Sequence, residues 1–502
     1  MKVTLKIGND VLKMANDAER AMNSAPDLEI FQRGTELVEL VGDSTTPEIR
    51  TIQNPRLYEL VSHYCNFVTE KVNKDNEVSE VPKMPPREVV NALAVRGHWK
   101  FRKLKGVVQT PTIRTDGSLL TKAGYDSGSS LYFQPPKGVV FRINDHPSRE
   151  DGLVALEVLK EAIVDFVFPE PCFHSAALSM ILTPLVRPAI SGSCPLFAIE
   201  APTQGSGKGL LADVAGIIVT GSELSRMAQT SNETEDAKRI ASLISGGVRI
   251  VLIDNVEHRF GHGLLGALIT SATWNDRLLG GNAMGPWDNL AVWIITGNNL
   301  AYHDDMVRRV IPVLIDTGLE KPEQRTAFMH NPLEGWLKAN RGELVSAALT
   351  VIGSYFAAGR PAMGLPNYGS FQAWSDVVRS ALVWLGQADP CEARKRIMET
   401  GDPRSHAFGN LIAAWFERYG KDSMSIRDAI NTADEDLREL MFEMCPARNG
   451  RDVDGHYLGN IFRRYVGRPL GGLVVAKGGK STGHLVLWRV VKHEPANVVH
   501  LF

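Results

Sequence analysis

The chain has few cysteines, little net charge and no long apolar run. Its five cysteines are scattered, without the paired spacing of metal ligands or of a disulfide framework, which excludes a secreted disulfide-rich domain. The formal net charge of −2 over 502 residues gives no global preference for nucleic acid, so any basic surface must be local. No apolar stretch approaches a membrane span and the first residues lack a signal peptide, so we expect a cytoplasmic protein with no membrane partner.

An apolar run leads into a glycine-rich turn near the middle of the chain, in LFAIEAPTQGSGKG. The run predicts a buried parallel strand, and apolar residues at helical spacing follow the turn, so the order is strand, loop, helix. Gly205 and Gly207 tolerate positive φ angles and let backbone N–H groups converge beside Lys208 at a helix N-terminus. This order predicts a phosphate-binding loop; a tight turn with a solvated lysine is the alternative. The predicted nucleotide-binding residues are Thr203, Gln204, Gly205, Ser206, Gly207, Lys208, Gly209 and Leu210.

Polar side chains end the next apolar runs, where strands of a parallel sheet would end. The run VRIVLID ends in Asp254, which can hold Mg²⁺ directly or through water. The run AVWIITGN ends in Asn298, which can orient a water against a γ-phosphate. Arg308 and Arg309 follow, and an arginine pair there suits stabilisation of transition-state charge from a neighbouring subunit. These features in this order predict ATP and Mg²⁺ as cofactors, with Asp254 as the metal ligand.

Taken together, these features resemble the core of an AAA+ ATPase. The phrases that carry the resemblance are GSGKGLLAD, EDAKRI, VLIDNV, ATWNDRLLG, WIITGNN, MVRRV and GSFQAW. The stretch from about 160 to 390 is similar to the helicase domains encoded by phages, prophages and other mobile elements, near the superfamily 3 and MCM-like helicases. The upstream phrase GVVQTPTIRTDGSLLTKAGYD resembles a segment that precedes the helicase in phage primase-helicase proteins. The resemblance implies an α/β fold with a P-loop core and a ring in which an arginine completes the neighbour's site.

The phosphate-loop pattern G-x-x-x-x-G-K-[ST] is matched incompletely, since Pro202 stands at its first glycine, and two departures from the family pattern bear on the chemistry. Gly209 replaces the hydroxyl that normally reaches magnesium, and Asn255 stands where many AAA+ enzymes carry a catalytic glutamate. An amide can position a water but cannot accept its proton, so hydrolysis is slower or uses another base. Glu200 and Glu257 are the nearest candidates for that base. Glu200, which leaves a strand beside the phosphate loop, is the better candidate, and Glu257 is equally well explained as a surface carboxylate.

The length of the chain and its charged, proline- and glycine-containing connecting segments predict three domains. We expect an α+β accessory domain over residues 1–145, the ATPase core with a helical lid over 146–390, and a winged-helix DNA-binding domain over 405–502. No second acid-rich cluster accompanies Asp116 in the first region, which argues against a primase or polymerase centre there. In the lid, Arg379 is a candidate second sensor of the nucleotide.

Two regions are candidates for contact with DNA. The phrase TWNDRLLGGNAMGPWDNLAVW predicts a hairpin, which in the helicases that this chain resembles projects into the ring channel. Arg277 at its base either contacts DNA or pairs with an aspartate in a structural turn. Residues 446–492 hold nine basic and two acidic residues, a local net charge of +7. Three helices and a two-stranded ribbon within residues 405–502 predict a winged helix, which binds DNA or, alternatively, only docks subunits. The predicted DNA-binding residues are Arg277, Arg463, Arg464, Arg468, Lys477 and Lys480.

The sequence thus predicts a ring-forming, ATP-dependent DNA helicase or translocase that serves the replication of a phage or mobile element. Its expected partners are single-stranded or forked DNA, further copies of the chain in a homo-hexamer, and a separate primase or replisome protein. A nucleotide-dependent initiator or regulatory switch without unwinding activity is the alternative, and a remodelling ATPase that does not act on DNA is a third. The predicted catalytic residues are Lys208, Asp254, Asn255, Asn298, Arg308 and Arg309.

Overall fold

The computed structural model describes most of the chain, in ten segments. They are residues 2–42, 47–74, 76–230, 232–261, 263–275, 286–303, 305–395, 403–447, 452–480 and 485–493. The chain divides into two compact units: the first unit is Met1–Lys395 and the second unit is Arg396–Phe502. The predicted boundary at residue 145 lies inside the first unit and stays a prediction. Within the described segments, no helix combines the length and the apolar character needed to cross a bilayer.

The first unit begins with an α+β region built from small sheets. Its elements are β1 (Val3–Lys6), α1 (Val11–Asn23), β2 (Ile30–Arg33), β3 (Glu36–Val41), β4 (Glu48–Thr51), α2 (Asn54–Tyr64), β5 (Cys65–Val72), β6 (Val78–Lys83), α3 (Arg87–Ala94), β7 (Gly106–Val108), β8 (Thr112–Ile113), β9 (Leu119–Leu120), β10 (Gly124–Asp126) and β11 (Leu131–Phe133). Helix α1 begins after Asp10, whose side chain accepts a hydrogen bond from the Lys13 backbone N–H at 2.9 Å. Helices α1, α2 and α3 pack on a core that includes Phe67 and Trp99.

The structure corrects one expectation in this region and confirms another. The sequence predicts a solvated connection from Val68 towards the helix at Arg87, but β5 and β6 form an antiparallel pair there, and β5 also pairs in parallel with β1. The alternating charges lie on exposed positions of this pair, so composition alone could not distinguish it from a link. The dipeptide Asp116-Gly117 in the sequence predicts a hairpin turn. The structure confirms it, because β8 and β9 pair on either side of it and Asp116 Oδ1 accepts from the Ser118 N–H at 2.9 Å.

The centre of the first unit is a five-stranded parallel sheet. The elements here are α4 (Arg149–Glu161), α5 (Pro171–Leu185), β12 (Leu196–Glu200), α6 (Lys208–Thr220), β13 (Arg226–Ala228), α7 (Glu233–Ser245), β14 (Ile250–Val256), α8 (Gly263–Ile269), β15 (Thr273–Trp274), β16 (Trp287–Asp288), β17 (Val292–Gly297) and β18 (Val310–Leu314). The strand order is β13-β14-β17-β12-β18. Strands β12, β17 and β18 are buried almost throughout, as continuous apolar runs predict. The mixed α/β fold with a parallel sheet is confirmed. Glu200 at the end of β12, Asp254 near the end of β14 and Asn298 directly after β17 share one edge of it.

Helices follow the sheet, as the sequence predicts. They are α9 (Leu333–Ala357), α10 (Gln372–Trp374) and α11 (Ser380–Trp384), with a π-helical turn at Ser375–Arg379 between the last two. The Arg379 side chain is 3% exposed, and its Nε and Nη2 donate to the two carboxylate oxygens of Asp389 at 2.8 and 2.6 Å. Its Nη1 donates to the carbonyl of Pro366 at 2.7 Å. These bonds give Arg379 a structural role rather than the role of a nucleotide sensor.

Replacing Arg379 with alanine is expected to lower the free energy of unfolding of the first unit by about 3 kcal/mol, because it removes a buried guanidinium and leaves the Asp389 carboxylate, which is only 17% exposed, without its partner. Urea denaturation followed by circular dichroism measures this change. Lys395→Ala is the control, since its exposed pair with Glu392 at 3.2 Å contributes little. Normal stability of Arg379→Ala, together with lost ATP turnover, would restore the sensor interpretation.

The second unit holds four helices and a four-stranded antiparallel sheet in its described residues. They are α12 (Pro403–Tyr419), β19 (Met424–Ser425), α13 (Ile426–Thr432), α14 (Glu435–Met444), α15 (Gly455–Tyr465), β20 (Pro469–Leu470), β21 (Leu473–Lys480) and β22 (Val486–Lys492). The sequence predicts one helix over Ser425 to Met441, but two are found. The break follows from Asp434, which caps α14 by accepting from the Leu437 N–H at 3.0 Å. The core of this unit surrounds Trp415, Phe462 and Trp488.

Candidate functional site

The glycine-rich loop joins β12 to α6 as the sequence predicts. Gly205 and Gly207 have φ angles of 74° and 86°, a left-handed conformation that other residues rarely adopt. The loop is closed on itself by Thr203 and Ser206, whose hydroxyl oxygens are 3.0 Å apart, and the Ser206 hydroxyl also donates to the Thr203 carbonyl at 2.8 Å. Gln204 lies exposed at the outer side of the turn. The loop leads directly into the first turn of α6. The backbone N–H groups of that turn have no partner within the helix, so they favour an anion.

Lys208 is the first residue of α6, and its side chain crosses to the neighbouring strand. Its Nζ donates to Oδ1 of Asn298 at 2.7 Å, directly after the end of β17. Partial burial lowers the pKa of the Lys208 ammonium, and the nearby Asp254 carboxylate opposes this shift. The structure thus brings together Lys208, Asp254 and Asn298, which are far apart in the sequence.

Asp254 and Asn255 lie in an irregular part of β14. The strand continues to Val256, with a shift of register against β17 after Ile253, and Asn255 has a φ angle of 53°. The buried Thr296 hydroxyl ties the two together: it accepts from the Asn255 N–H at 2.9 Å and donates to Oδ1 of Asp254. One oxygen of the Asp254 carboxylate is therefore fixed by the central strand of the sheet.

The other oxygen of Asp254 is held by an arginine that the sequence did not single out. Arg226, from the edge strand β13, places its Nε 3.2 Å from Oδ2 of Asp254 and its Nη2 2.6 Å from Oδ2 of Asp213. Asp213 lies buried in α6 and also accepts from the Leu224 N–H at 2.8 Å. A Cβ atom added at Gly209 would lie 3.4 Å from Nη2 of Arg226. The guanidinium therefore stands beside the first turn of α6.

A cavity of about 270 Å³ adjoins the loop on its other side. Its wall includes Gly207 and Leu210 of the loop and helix, Phe166 after α4, and Ile315 after β18. Phe166 packs closely over Gly207, where its ring would be 3.4 Å from an added Cβ. Charged side chains line it as well, among them Asp165, Glu323 and Arg325. A cavity of this mixed lining beside a glycine-rich turn can accept the flat base of a nucleotide.

The two arginines before β18 have different surroundings. Arg308 is 66% exposed and pairs with Asp305 at 2.9 Å. Arg309 is 16% exposed and lies against α8, where its Nη1 would collide with a Cβ added at Gly266. Arg308 can thus reach a second molecule, whereas Arg309 is held in the subunit.

The two candidate bases are both engaged. Glu200 at the end of β12 accepts from the buried Tyr302 hydroxyl at 2.7 Å, and burial raises the pKa of that phenol well above its usual value. Glu257 is exposed and accepts from the Asn255 amide at 2.9 Å. The Asn255 side chain is therefore directed to Glu257 and can orient this carboxylate.

The residues fit a nucleotide better than they fit a magnesium ion. The positive-φ glycines, the N-terminus of α6 and the Lys208 ammonium form a cradle for phosphate. Both Asp254 oxygens, in contrast, already have partners, and Gly209 offers no hydroxyl. Among the described residues, no group of three or more His, Cys, Asp or Glu side chains converges on a point. The metal role of Asp254 stays a prediction and requires Arg226 to release the carboxylate.

The structure describes only some of the residues that the sequence predicts to contact DNA. Strands β15 and β16 form the base of the hairpin expected before β17, but Arg277 lies outside the described residues. In the second unit the predicted side chains of α15, the following turn and β21 are exposed; they are Arg463, Arg464, Arg468 and Lys477. The backbone of Lys480 pairs with Val486.

The sequence interpretation missed Arg226, Asp213 and Thr296. Arg226 stands in a polar segment on a strand of only three residues, which has no recognisable periodicity. Asp213 carried a usable signal, because it is a single acid within the apolar helix LLADVAGIIV and a buried carboxylate requires a partner.

No family model matches this chain, and no curated protein matches its sequence. Among solved structures, the apo A form of the NrS-1 C-terminal region is 14% identical and aligns over 90% of this chain and 100% of that one, with a TM-score of 0.38. JCV helicase is 15% identical over 53% of this chain and 72% of that one, with a TM-score of 0.22, and its inhibitor-bound form gives 14% and 0.22. At such TM-scores the likeness does not decide the function, which must be argued from the site itself.

Proposed function

We propose that the chain is an ATP-dependent DNA helicase or translocase that acts as a ring of subunits. The observation that carries the proposal is the contact of Lys208 Nζ with Asn298 Oδ1 at 2.7 Å, beside Asp254 and at the end of a loop with two positive-φ glycines. A cation, an acid and an amide at one edge of a parallel sheet are the parts that a triphosphate-hydrolysing site needs.

The site supports a distinct role for each residue. Lys208 can exchange Asn298 for the β- and γ-phosphate oxygens of ATP, since its ammonium is partly buried and has a neutral partner at this contact. The Asn298 carbonyl oxygen is then available to orient the attacking water. Asn255 cannot accept the water's proton, but it holds the Glu257 carboxylate, which we assign as the proton acceptor. When bound, Mg²⁺ would neutralise phosphate charge, with Asp254 as its ligand.

A ring is proposed because the first unit presents Arg308 to its surroundings. Arg308 is 66% exposed, and its partner Asp305 is 71% exposed, so their ion pair is weak and easily exchanged. An arginine inserted into the site of the next subunit stabilises charge that develops during phosphoryl transfer. Heterologous contacts of this kind close into rings, which fits a homo-hexamer.

The second unit is proposed as a winged-helix DNA-binding domain. Its helices and the antiparallel β21-β22 ribbon supply the outline, and α15 exposes Arg463 and Arg464 in its last turn. Basic side chains on one helix and its adjoining ribbon form the charge pattern of a phosphate-contacting surface. The expected ligands are single-stranded or forked DNA, delivered in the cell together with a primase or replisome partner of a phage or mobile element.

Replacing Arg463 and Arg464 with alanine is expected to weaken duplex DNA binding and to reduce the slope of log K against log salt by about 0.9 for each phosphate that the protein no longer neutralises. Fluorescence anisotropy with a labelled duplex at several salt concentrations measures this slope. Arg438→Ala in α14 is the matched control. An unchanged slope in the double variant would favour the alternative in which this domain only docks subunits.

The proposal is tested by measuring ATP turnover with and without single-stranded DNA, and strand separation of a forked duplex. A helicase must show DNA-stimulated turnover and must unwind the fork. A nucleotide-dependent initiator or switch would bind DNA and ATP without unwinding. This second function is favoured by the engaged Asp254 carboxylate and by Gly209 and Asn255, each of which is expected to slow hydrolysis.

A further inference from the structure

Among the described residues, Arg226 places its side-chain nitrogen Nη2 closest to a Cβ added at Gly209, the position that lacks the hydroxyl that normally reaches magnesium. It reaches the site from the edge strand β13 and is fixed by two carboxylates, at 2.6 Å from Asp213 and 3.2 Å from Asp254. Asp213 is buried, so the guanidinium cannot leave it without exposing an unpaired buried charge. The hydrogen bond to Asp213 raises the pKa of Arg226, so the side chain stays protonated. The site therefore contains a permanent positive charge in addition to Lys208.

The position of this charge follows from Gly209. An added Cβ at this second residue of α6 would be 3.4 Å from Nη2 of Arg226, so the guanidinium lies beside the place where a serine or threonine hydroxyl would begin. The Arg226 side chain is 43% exposed. A guanidinium has five N–H groups; the hydrogen bonds to Asp213 and to the Leu224 carbonyl use two of them, and Nε lies 3.2 Å from Asp254 as an ion pair. The remaining N–H groups can face a ligand at the helix N-terminus.

We propose that Arg226 is a resident cation of the phosphate site, and that it lets the site hold a nucleoside di- or triphosphate without a divalent cation. This inference rests on the proposed function, since it concerns the same phosphate site. A guanidinium donates two directed hydrogen bonds to phosphate oxygens and cannot lose its proton, which makes it a suitable replacement for a bound metal in ground-state binding. Gly209 is then an adaptation to Arg226, because it leaves the guanidinium access to the first turn of α6.

The same arrangement predicts a competition at Asp254. A divalent cation at this carboxylate is repelled by Arg226, whose Nε lies 3.2 Å from Oδ2, so its binding favours movement of Nε away from Asp254 while the contact to Asp213 persists. Nucleotide binding and metal binding are thus separate steps in this site. Removing the Arg226 guanidinium should make the affinity for nucleotide depend on the divalent cation, because Asp254 then no longer pairs with Arg226.

The experiment is an equilibrium titration of the full-length protein with ATP that carries a fluorescent N-methylanthraniloyl group, in excess Mg²⁺ and in excess EDTA. For the wild type, the two dissociation constants are expected to agree within about threefold. For Arg226→Gln, the affinity in EDTA is expected to fall roughly tenfold or more, because one charge-assisted hydrogen-bond donor is removed. Adding Gly209→Thr to this variant should recover affinity in Mg²⁺ but not in EDTA, because the hydroxyl supplies a metal ligand.

Arg226→Gln leaves Asp213 without its ion pair and can unfold the chain, so thermal unfolding is followed for each variant. The double variant Arg226→Gln, Asp213→Asn removes the orphaned charge and carries the same expectation. A wild type that binds only in Mg²⁺, or a folded Arg226→Gln that binds like the wild type in EDTA, overturns the inference and leaves the proposed function intact. A wild type that binds in neither condition overturns both.

Discussion

Replacing Arg308 with alanine is expected to lower ATP turnover by about 10³–10⁵, with nucleotide affinity unchanged. The large effect is expected because an arginine at the γ-phosphate acts on the charge of the transition state and not on the bound ground state. Arg308 is preferred over Arg309 because it is 66% exposed, whereas Arg309 is 16% exposed and packs on α8. A coupled assay of ADP release, with a separate binding titration, measures the two quantities.

The matched control is Arg20→Ala, since Arg20 is also exposed and also pairs with an aspartate three residues away. Mixing two variants shows whether Arg308 acts on the site of a neighbouring subunit or on the site of its own subunit. Arg308→Ala and Lys208→Ala are each expected to be nearly inactive alone, but in a mixed ring a site with Lys208 can receive Arg308 from its neighbour. Random mixing should restore roughly a quarter of the wild-type rate if each site uses one adjacent arginine. Normal turnover of Arg308→Ala, or no recovery on mixing, would contradict the trans assignment.

Replacing Lys208 with alanine is expected to weaken ATP binding roughly 10–100-fold and to reduce turnover by a further 10²–10³ or so. The lysine is the cation at the mouth of the loop, and its contact to Asn298 shows that its side chain reaches the strand edge where the phosphates would lie. Binding of a fluorescent ATP analogue and steady-state turnover measure these two effects.

Lys338→Ala serves as the control for this experiment. Lys338 is a half-exposed lysine of α9 that lies 3.8 Å from Glu223 and lines a groove away from the loop. Its removal should change neither quantity by more than about twofold, as expected for a surface ion pair. Equal ATP affinity of Lys208→Ala and the wild type would show that the glycine-rich loop does not bind phosphate.

The elements that can be predicted from the sequence are those whose local pattern is strong. The loop from Gly205 to Lys208 is one of them, because continuous apolar runs and glycines at fixed spacing are readable without tertiary information. The same holds for Asp254 and Asn298, which directly end or follow such runs. The structure adds that these three side chains are neighbours, which follows from the strand order.

The remaining features depend on contacts that a local pattern does not contain. Arg226 functions through partners on α6 and β14, and a strand of three residues gives no periodic signal. The β5-β6 pair resembles a link in its sequence because its second strand is exposed and charged. Its first strand pairs with β1 and places Cys65 and Phe67 in the core, which are contacts that a local pattern does not show. The break between α13 and α14 depends on a single capping side chain, Asp434.

The central claim is that one nucleotide site is built on the loop ending in Lys208. It is tested most directly by a structure of the full-length protein with a non-hydrolysable ATP analogue and single-stranded DNA. We expect the triphosphate within hydrogen-bonding distance of Lys208 Nζ, with Asn298 at the γ-phosphate and Arg308 of the adjacent subunit completing the site. A nucleotide bound elsewhere, with Lys208 still paired to Asn298, would contradict the account.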